Sequence, residues 1–228
     1  LVSFFDLKEA FFTEHSLGPM MYDMFRRFLR DAGLNEKNHF TSFAELIEQI
    51  GWESDTALGL MMVNLAMENP QIAWYVNTLD IGVYYERKQV EEMLTSLDVK
   101  PKDAKSIVKS YKRIMETPFG TTLNFGYFTD DENIVRLKWS MSDNRVFLYA
   151  LYRFVEKCNL NREFNVSYLF DESIERDGVS PVRLFGLYDE EELRNVLLGL
   201  SARYPNFINA TYTNDLQSIS LRDKSSSD

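Results

Sequence analysis

The side chains most often recruited for nucleophilic or metal chemistry are scarce here and poorly spaced for it. His15 and His39 stand outside any His-x-x-x-His or Cys-His pattern, so a metal site on either needs carboxylates from far along the chain. Cys158 lies between Lys157 and Asn159 with no histidine motif to supply its base, and it reads as a small buried thiol. Gly120 and Gly126 flank Thr121-Thr122-Leu123-Asn124-Phe125. Neither the Lys-Ser or Lys-Thr of a phosphate loop nor a G-x-G-x-x-G accompanies them, so a tight turn beside a strand is expected. Asp130-Asp131-Glu132 and Asp189 to Glu192 carry enough charge for a divalent cation, but a hairpin turn and a helix start account for them. The expectation is no metal, no cofactor and no self-contained active site.

One pattern points to a partner. Lys102, Lys105, Lys109, Lys112 and Arg113 fall on one arc of a helical wheel, and Ala104, Ile107, Val108, Tyr111 and Ile114 fall on the opposite arc. A row of cations at this pitch suits a phosphate backbone, with duplex DNA as the partner. Lysine is also a good helix former on any solvated face, so a purely structural row gives the same pattern. The chain as a whole has 25 basic and 35 acidic side chains, a formal charge of -10, which disfavours non-specific nucleic-acid binding by the average surface. Any DNA contact must therefore be local.

These residues have to be held by elements, and helical periodicity dominates the first half. Between Leu17 and Leu34 the residues Met20, Met21, Met24, Phe25, Phe28 and Leu29 recur at spacings of three and four, and Gly33 ends the run. Thr41 caps a second helix with Phe43, Leu46, Ile47 and Ile50 on its apolar face, stopped by Gly51. Ser54 or Asp55 starts a third, which Asn69-Pro70 closes. Three helices of this order resemble a helix-turn-helix core. Residues 72–85 suit strands or a short helix equally. Helices are expected over 86–94 and 98–115, the latter with Pro101 near its start.

Pro118-Phe119-Gly120 reads as a break, followed by a hairpin. Its strands carry Leu123, Phe125 and Tyr127, then Ile134, Val135, Leu137 and Trp139, with the turn at 129–133. Ser142 or Asp143 caps the next helix, which ends near Asn159. Residues 164–170 are a short helix or an extended segment, and 171–181 a polar loop. Asp189 to Glu192 opens a helix with Leu193, Val196, Leu197 and Leu200 buried, and 207–212 with 216–221 forms a hairpin about Thr213-Asn214-Asp215. Helix, short helix, helix, hairpin is the order of a winged helix. Its recognition helix begins with acidic residues and carries only Arg194 and Arg203 as bases, which slightly favours protein docking over DNA for that module.

The expected fold is mainly α with short β-hairpins: a helix-turn-helix-like domain over 1–116 and a winged-helix-like domain over 117–228. A single cysteine excludes a disulfide framework and points to a reducing, cytoplasmic compartment. No apolar run is long enough to span a bilayer, so no membrane partner is expected. The start at Leu1, without a signal-peptide pattern, reads as a trimmed or excised piece, and Ser225-Ser226-Ser227-Asp228 as a tail.

The runs "TPFGTTLNFG", "VFLYALYRFVE", "VSPVRLFGLYDEEELRNVLLGLSARYP" and "DLQSISL", with "ENPQIAWYV" in the first half, resemble an uncharacterised bacterial domain family. Its members occur beside or fused to phosphoadenosine-phosphosulfate-reductase-like proteins in loci of DNA phosphorothioation and phage defence. The resemblance covers most of the chain and is densest from Thr117 onward. It implies an accessory role in DNA modification or restriction, with a reductase-like or restriction protein as a possible neighbour, and transfers no catalytic residue. Beside this non-catalytic, DNA-associated reading stand a pure protein-interaction or dimerisation domain and an enzyme with dispersed site residues.

Overall fold

In the computed structural model the chain is described over residues 1–140, 143–173, 177–213 and 216–226. It is mainly helical, with small antiparallel sheets of two or three strands. The order is α1 (Val2–Leu7), α2 (Phe11–Glu14), α3 (Pro19–Asp31), β1 (Asn35–Glu36), β2 (His39–Phe40), α4 (Ser42–Ile50) and α5 (Asp55–Glu68). There follow α6 (Pro70–Thr78), β3 (Tyr84–Glu86), α7 (Arg87–Thr95), α8 (Pro101–Met115), α9 (Pro118–Leu123), β4 (Gly126–Phe128) and β5 (Asn133–Arg136). The last elements are α10 (Asn144–Lys157), β6 (Glu163–Asn165), α11 (Pro181–Phe185), α12 (Glu190–Arg203), β7 (Ile208–Tyr212) and β8 (Gln217–Leu221).

The centre of the molecule is α5, apolar on every side and buried from Ala57 to Met67. It packs on α6, α9 and α10. A Cβ on Gly59 would come within 3.0 Å of Val146, which is how closely α5 and α10 approach. Polar contacts join the same two helices along their length. Thr56 donates to Asp143 at 3.1 Å, Tyr149 to Asn64 at 2.6 Å, and Arg153 and Lys157 to Glu68 at 2.8 and 2.9 Å. With no free face, α5 cannot act as the DNA-reading third helix of a helix-turn-helix. A hairpin, β1–β2, also separates α3 from α4.

Two three-stranded sheets follow one plan. In the first, the order is β3-β5-β4; in the second it is β6-β8-β7, and all pairings are antiparallel. Each begins with a strand of exposed-buried-exposed pattern and returns as a hairpin after intervening helices, α7, α8 and the short α9 in the first and a 3-10 turn, α11 and α12 in the second. At the matching register Tyr85 faces Ile134, and Phe164 faces Ile219. Strand pairing crosses the point between residues 116 and 117, because β3 precedes it and β5 follows it. The buried core likewise contains residues from both sides.

Several local expectations need correcting. Residues 70–78 are helical because Pro70 sits at the first helical position and the Asn69 side chain caps Gln71 and Ile72. Only 84–86 of that stretch is strand. Pro118-Phe119-Gly120 starts α9 and is not a break. Gly120 is needed there because a Cβ would collide with the Met115 backbone at 2.2 Å. Leu123 is therefore helical, and the second strand stops at Arg136, short of Leu137 and Trp139. Residues 163–170 divide into β6 and a 3-10 turn over Val166–Phe170. The end of the expected polar loop is buried, at Val179, Ser180 and Pro181, and leads into α11. The N-terminal aromatic stretch forms α1 and α2, with Phe5 stacked on Trp52 at 6.0 Å. Asp143 caps α10; Ser142, Ile174 to Arg176, Asn214, Asp215, Ser227 and Asp228, which earlier expectations include, lie outside the described residues.

Arg136 is 2 % exposed and donates to the carbonyls of Val76 at 2.6 Å, Leu79 at 2.9 Å and Arg183. Substituting Arg136→Met leaves these acceptors without a donor, so it should lower stability by about 3 kcal/mol in urea denaturation; a loss under about 1 kcal/mol would refute that role. A second expectation concerns acid. Burial alone would raise the Asp143 carboxyl, but hydrogen bonds from the Arg145 side chain and backbone and from Thr56 outweigh it and hold it below the usual carboxylate value. A depressed folded pKa stabilises above the unfolded value of about 3.9 and ceases to do so as pH falls through the folded one. The stability advantage of wild type over Asp143→Asn should be full at neutral pH and shrink below about pH 4; an advantage that is flat with pH would exclude this linkage.

Candidate nucleic-acid interface

The basic helix foreseen in the sequence is α8, the second helix after β3. Pro101 opens it, Asp103 stands in its first turn, and Lys112 and Arg113 in its last, all matching the helix dipole. Ala104, Ile107, Val108, Tyr111 and Met115 are buried, and the helix packs on α7, α9 and β4. Tyr111 anchors it. The ring lies parallel to Trp74 at 6.4 Å and 5.0 Å from Tyr75, and the hydroxyl donates to the Gln71 carbonyl at 2.8 Å. Burial pushes the Tyr111 phenol far above its ordinary pKa, so it stays a neutral donor.

On the opposite face Lys102, Lys105, Lys109 and Arg113 are exposed. None of the four forms an ion pair with a described residue. They span about 16 Å of helix at 1.5 Å per residue. Lys112, grouped with them by the wheel, is half-buried and turns its ammonium over the Phe128 ring of β4 at 5.6 Å. The sequence placed Lys112 correctly in angle but could not show that the neighbouring hairpin offers it a ring.

Acidic groups flank the row on one side. A groove of about 620 Å³ between α7, the start of α8 and the β4–β5 turn contains Lys105 with Glu86, Glu91, Asp131 and Glu132. Arg87 bridges Glu91 and Glu132 at 3.0 Å each, which explains the acidic turn without a cation. The hairpin tip is therefore electrostatically unsuited to phosphate, and the exposed cations are those of α8.

The corresponding helix of the second unit is α12, and its chemistry is opposite. Asp189 caps it, accepting from the Glu192 amide at 2.8 Å. Glu192 pairs with Lys138, while Glu190 and Glu191 are exposed. Its two bases lie over rings, Arg194 over Tyr212 at 5.4 Å and Arg203 over Tyr204 at 5.6 Å. A groove of about 840 Å³ beside it is lined by Phe170, Leu198 and Tyr212 as well as Glu190, Glu191 and Arg194.

The groups that could support catalysis are scattered. His39 pairs with Glu9 at the surface at 3.2 Å, and His15 stacks on Tyr22 at 3.9 Å. Cys158 ends α10. A cleft of about 980 Å³ gathers Asp31, Asn35, Asn64, Tyr149 and Arg153, and its lining includes neither His39 nor Cys158. Its ionised groups are largely matched: Asp31 to Arg30 at 2.7 Å and Glu68 to Arg153 and Lys157. Burial pushes the Tyr149 phenol up to about 12. Among the described residues, no group of three or more His, Cys, Asp and Glu side chains is placed to hold a metal ion. Among the described residues, no helix is long and apolar enough to cross a membrane.

Sequence reasoning left residues 72–85 open between strand and helix, and so did not show that β3 begins the first sheet. The signal was available: "VYYERK" and "REFNVS" both carry an aromatic residue in a short segment leading directly into a helix. No protein-family model, curated protein or solved structure matches the chain.

Substituting Lys112→Ala should lower stability by about 0.5–1 kcal/mol through loss of the Phe128 contact, whereas Lys109→Ala should leave it unchanged. Equal effects in chemical denaturation would show that Lys112 belongs with the exposed row.

Proposed function

We propose that this chain is a non-catalytic, DNA-associated accessory module in which α8 lies along duplex DNA. The carrying observation is the row of four exposed, unpaired cations on a helix whose other face is fixed by buried aromatics. The surrounding elements support the same reading. A first strand paired to the last strand of a closing hairpin is a feature of a winged helix; here α7, α8 and the short α9 lie between them, and α8 is the one that carries the exposed cations. Both units are read as winged helices, the first facing DNA. The resemblance to a family found beside phosphoadenosine-phosphosulfate-reductase-like proteins supports a setting in bacterial DNA sulfur modification or phage defence. A reductase-like or restriction protein is then the natural neighbour.

A second reading, a protein-docking module without DNA contact, is favoured by the acidic α12 and the net charge of -10. The two readings separate in fluorescence anisotropy with a labelled duplex. Four phosphate contacts should give a log–log salt slope of about -3.5. Changing Lys105, Lys109 and Arg113 to Glu should abolish binding, and Glu190→Ala should leave it intact. Absence of binding at low salt, or a slope unchanged by the triple substitution, would leave the docking module as the function.

A further inference from the structure

Two surfaces of this chain are unsatisfied in complementary ways. On α3, Met20, Met21 and Met24 are each more than half exposed, although the helix buries Leu29 and packs on α5. Met20, Asp23, Met24 and Arg27 follow one another at spacings of three, one and three, so they form a single solvent-facing stripe. Asp23 and Arg27 form no ion pair with a described residue. Methionine stripes of this kind adapt to a facing surface and are frequent at binding faces.

The other surface is the groove along α12. Glu190, Arg194 and Leu198 recur every four residues on its open side, with Phe170 and Tyr212 opposite them. The Tyr212 hydroxyl is enclosed and has no hydrogen-bond partner among the described residues. Phe170 is partly exposed, as are the neighbouring Tyr168 and Leu216.

We infer that α3 of one copy docks antiparallel along α12 of a second copy. The charge register carries the choice of occupant. Asp23 and Arg27 are one turn apart, negative then positive, and so are Glu190 and Arg194. Running the helices antiparallel sets Arg27 against Glu190 and Asp23 against Arg194. It also places Met20 beside Leu198, and Met24 between the charged pairs toward Phe170 and Tyr212. A parallel alignment that brings Asp23 level with Glu190 opposes like charges at both positions. The helices are also matched in length, 13 and 14 residues, about 20 Å each. The arrangement is an amphipathic helix laid in a groove. Because the two surfaces differ, the contact is head-to-tail and propagates beyond a dimer unless it closes into a ring. It leaves the cations of α8 free.

Sedimentation velocity and light scattering without DNA test this. Wild type should show a mass that rises with concentration, and Met24→Asp should weaken association at least about tenfold. Reversing the α3 charges, with Asp23→Arg and Arg27→Asp, should weaken it similarly; adding Glu190→Arg and Arg194→Glu to the same chain should restore it. A chain carrying Met24→Asp, mixed with one carrying only Glu190→Arg and Arg194→Glu, should give a dimer that does not grow, since each supplies one intact surface. Every substituted position is at the surface, and unchanged circular dichroism establishes that the variants fold. A wild type that stays monomeric to about 1 mM overturns the inference. So does association that ignores the α3 substitutions, or a double reversal that fails to restore it.

Discussion

Arg136 is an enclosed guanidinium that forms no ion pair with a carboxylate among the described residues, and its three carbonyl acceptors come from different parts of the chain. Val76 and Leu79 belong to the end of α6, and Arg183 to α11. Burial draws its pKa down from the ordinary arginine value, but an arginine this basic remains charged. The negative end of α6 partly compensates the charge. Its backbone is equally engaged, ending β5 opposite Gly126 and accepting from the Gly82 amide at 2.8 Å. One residue therefore holds the β4–β5 hairpin, the end of α6 and α11 together. The direction in which α8 faces relative to α12 follows from that junction and from the α5–α10 contact.

The two units share a plan and differ in what they display. Their sheets are organised about the same kind of pair, a buried aromatic opposite a buried isoleucine, and each first strand is an edge with one inward side chain. The interior tolerates little change because packing fixes its volume. The outward faces of α8 and α12 are under no such constraint, and substitutions there alter stability little. Four cations on one helix and a run of carboxylates on the other are therefore both compatible with the same kind of interior packing.

Much of this was legible in the sequence where the signal is local. The amphipathic wheel of α8, the Thr41, Ser54 and Asp189 caps and the turn at 129–133 depend on side chains within a few residues of one another. The aromatic start gives no such local signal, because the partners of Phe4 and Phe5, Phe40 and Trp52, are tens of residues away. Two short elements escaped for the same reason, β3 being left open between strand and helix and α9 read as a break: with three and six residues, they are stabilised by what they touch more than by propensity.

The sequence by itself determined that one helix carries a cationic arc and that the last helix begins acidic, because charge and periodicity are properties of the chain alone. Only the tertiary structure decided which cations remain free. Lys112 is withdrawn onto Phe128, and Lys105 is set beside Glu86, Glu91, Asp131 and Glu132, while Lys109 and Arg113 lie outside that acidic groove. It also decided that α5 is wholly interior and that both units share one strand order. Each depends on residues brought together from separate parts of the chain, where burial and hydrogen-bond satisfaction outweigh local preference.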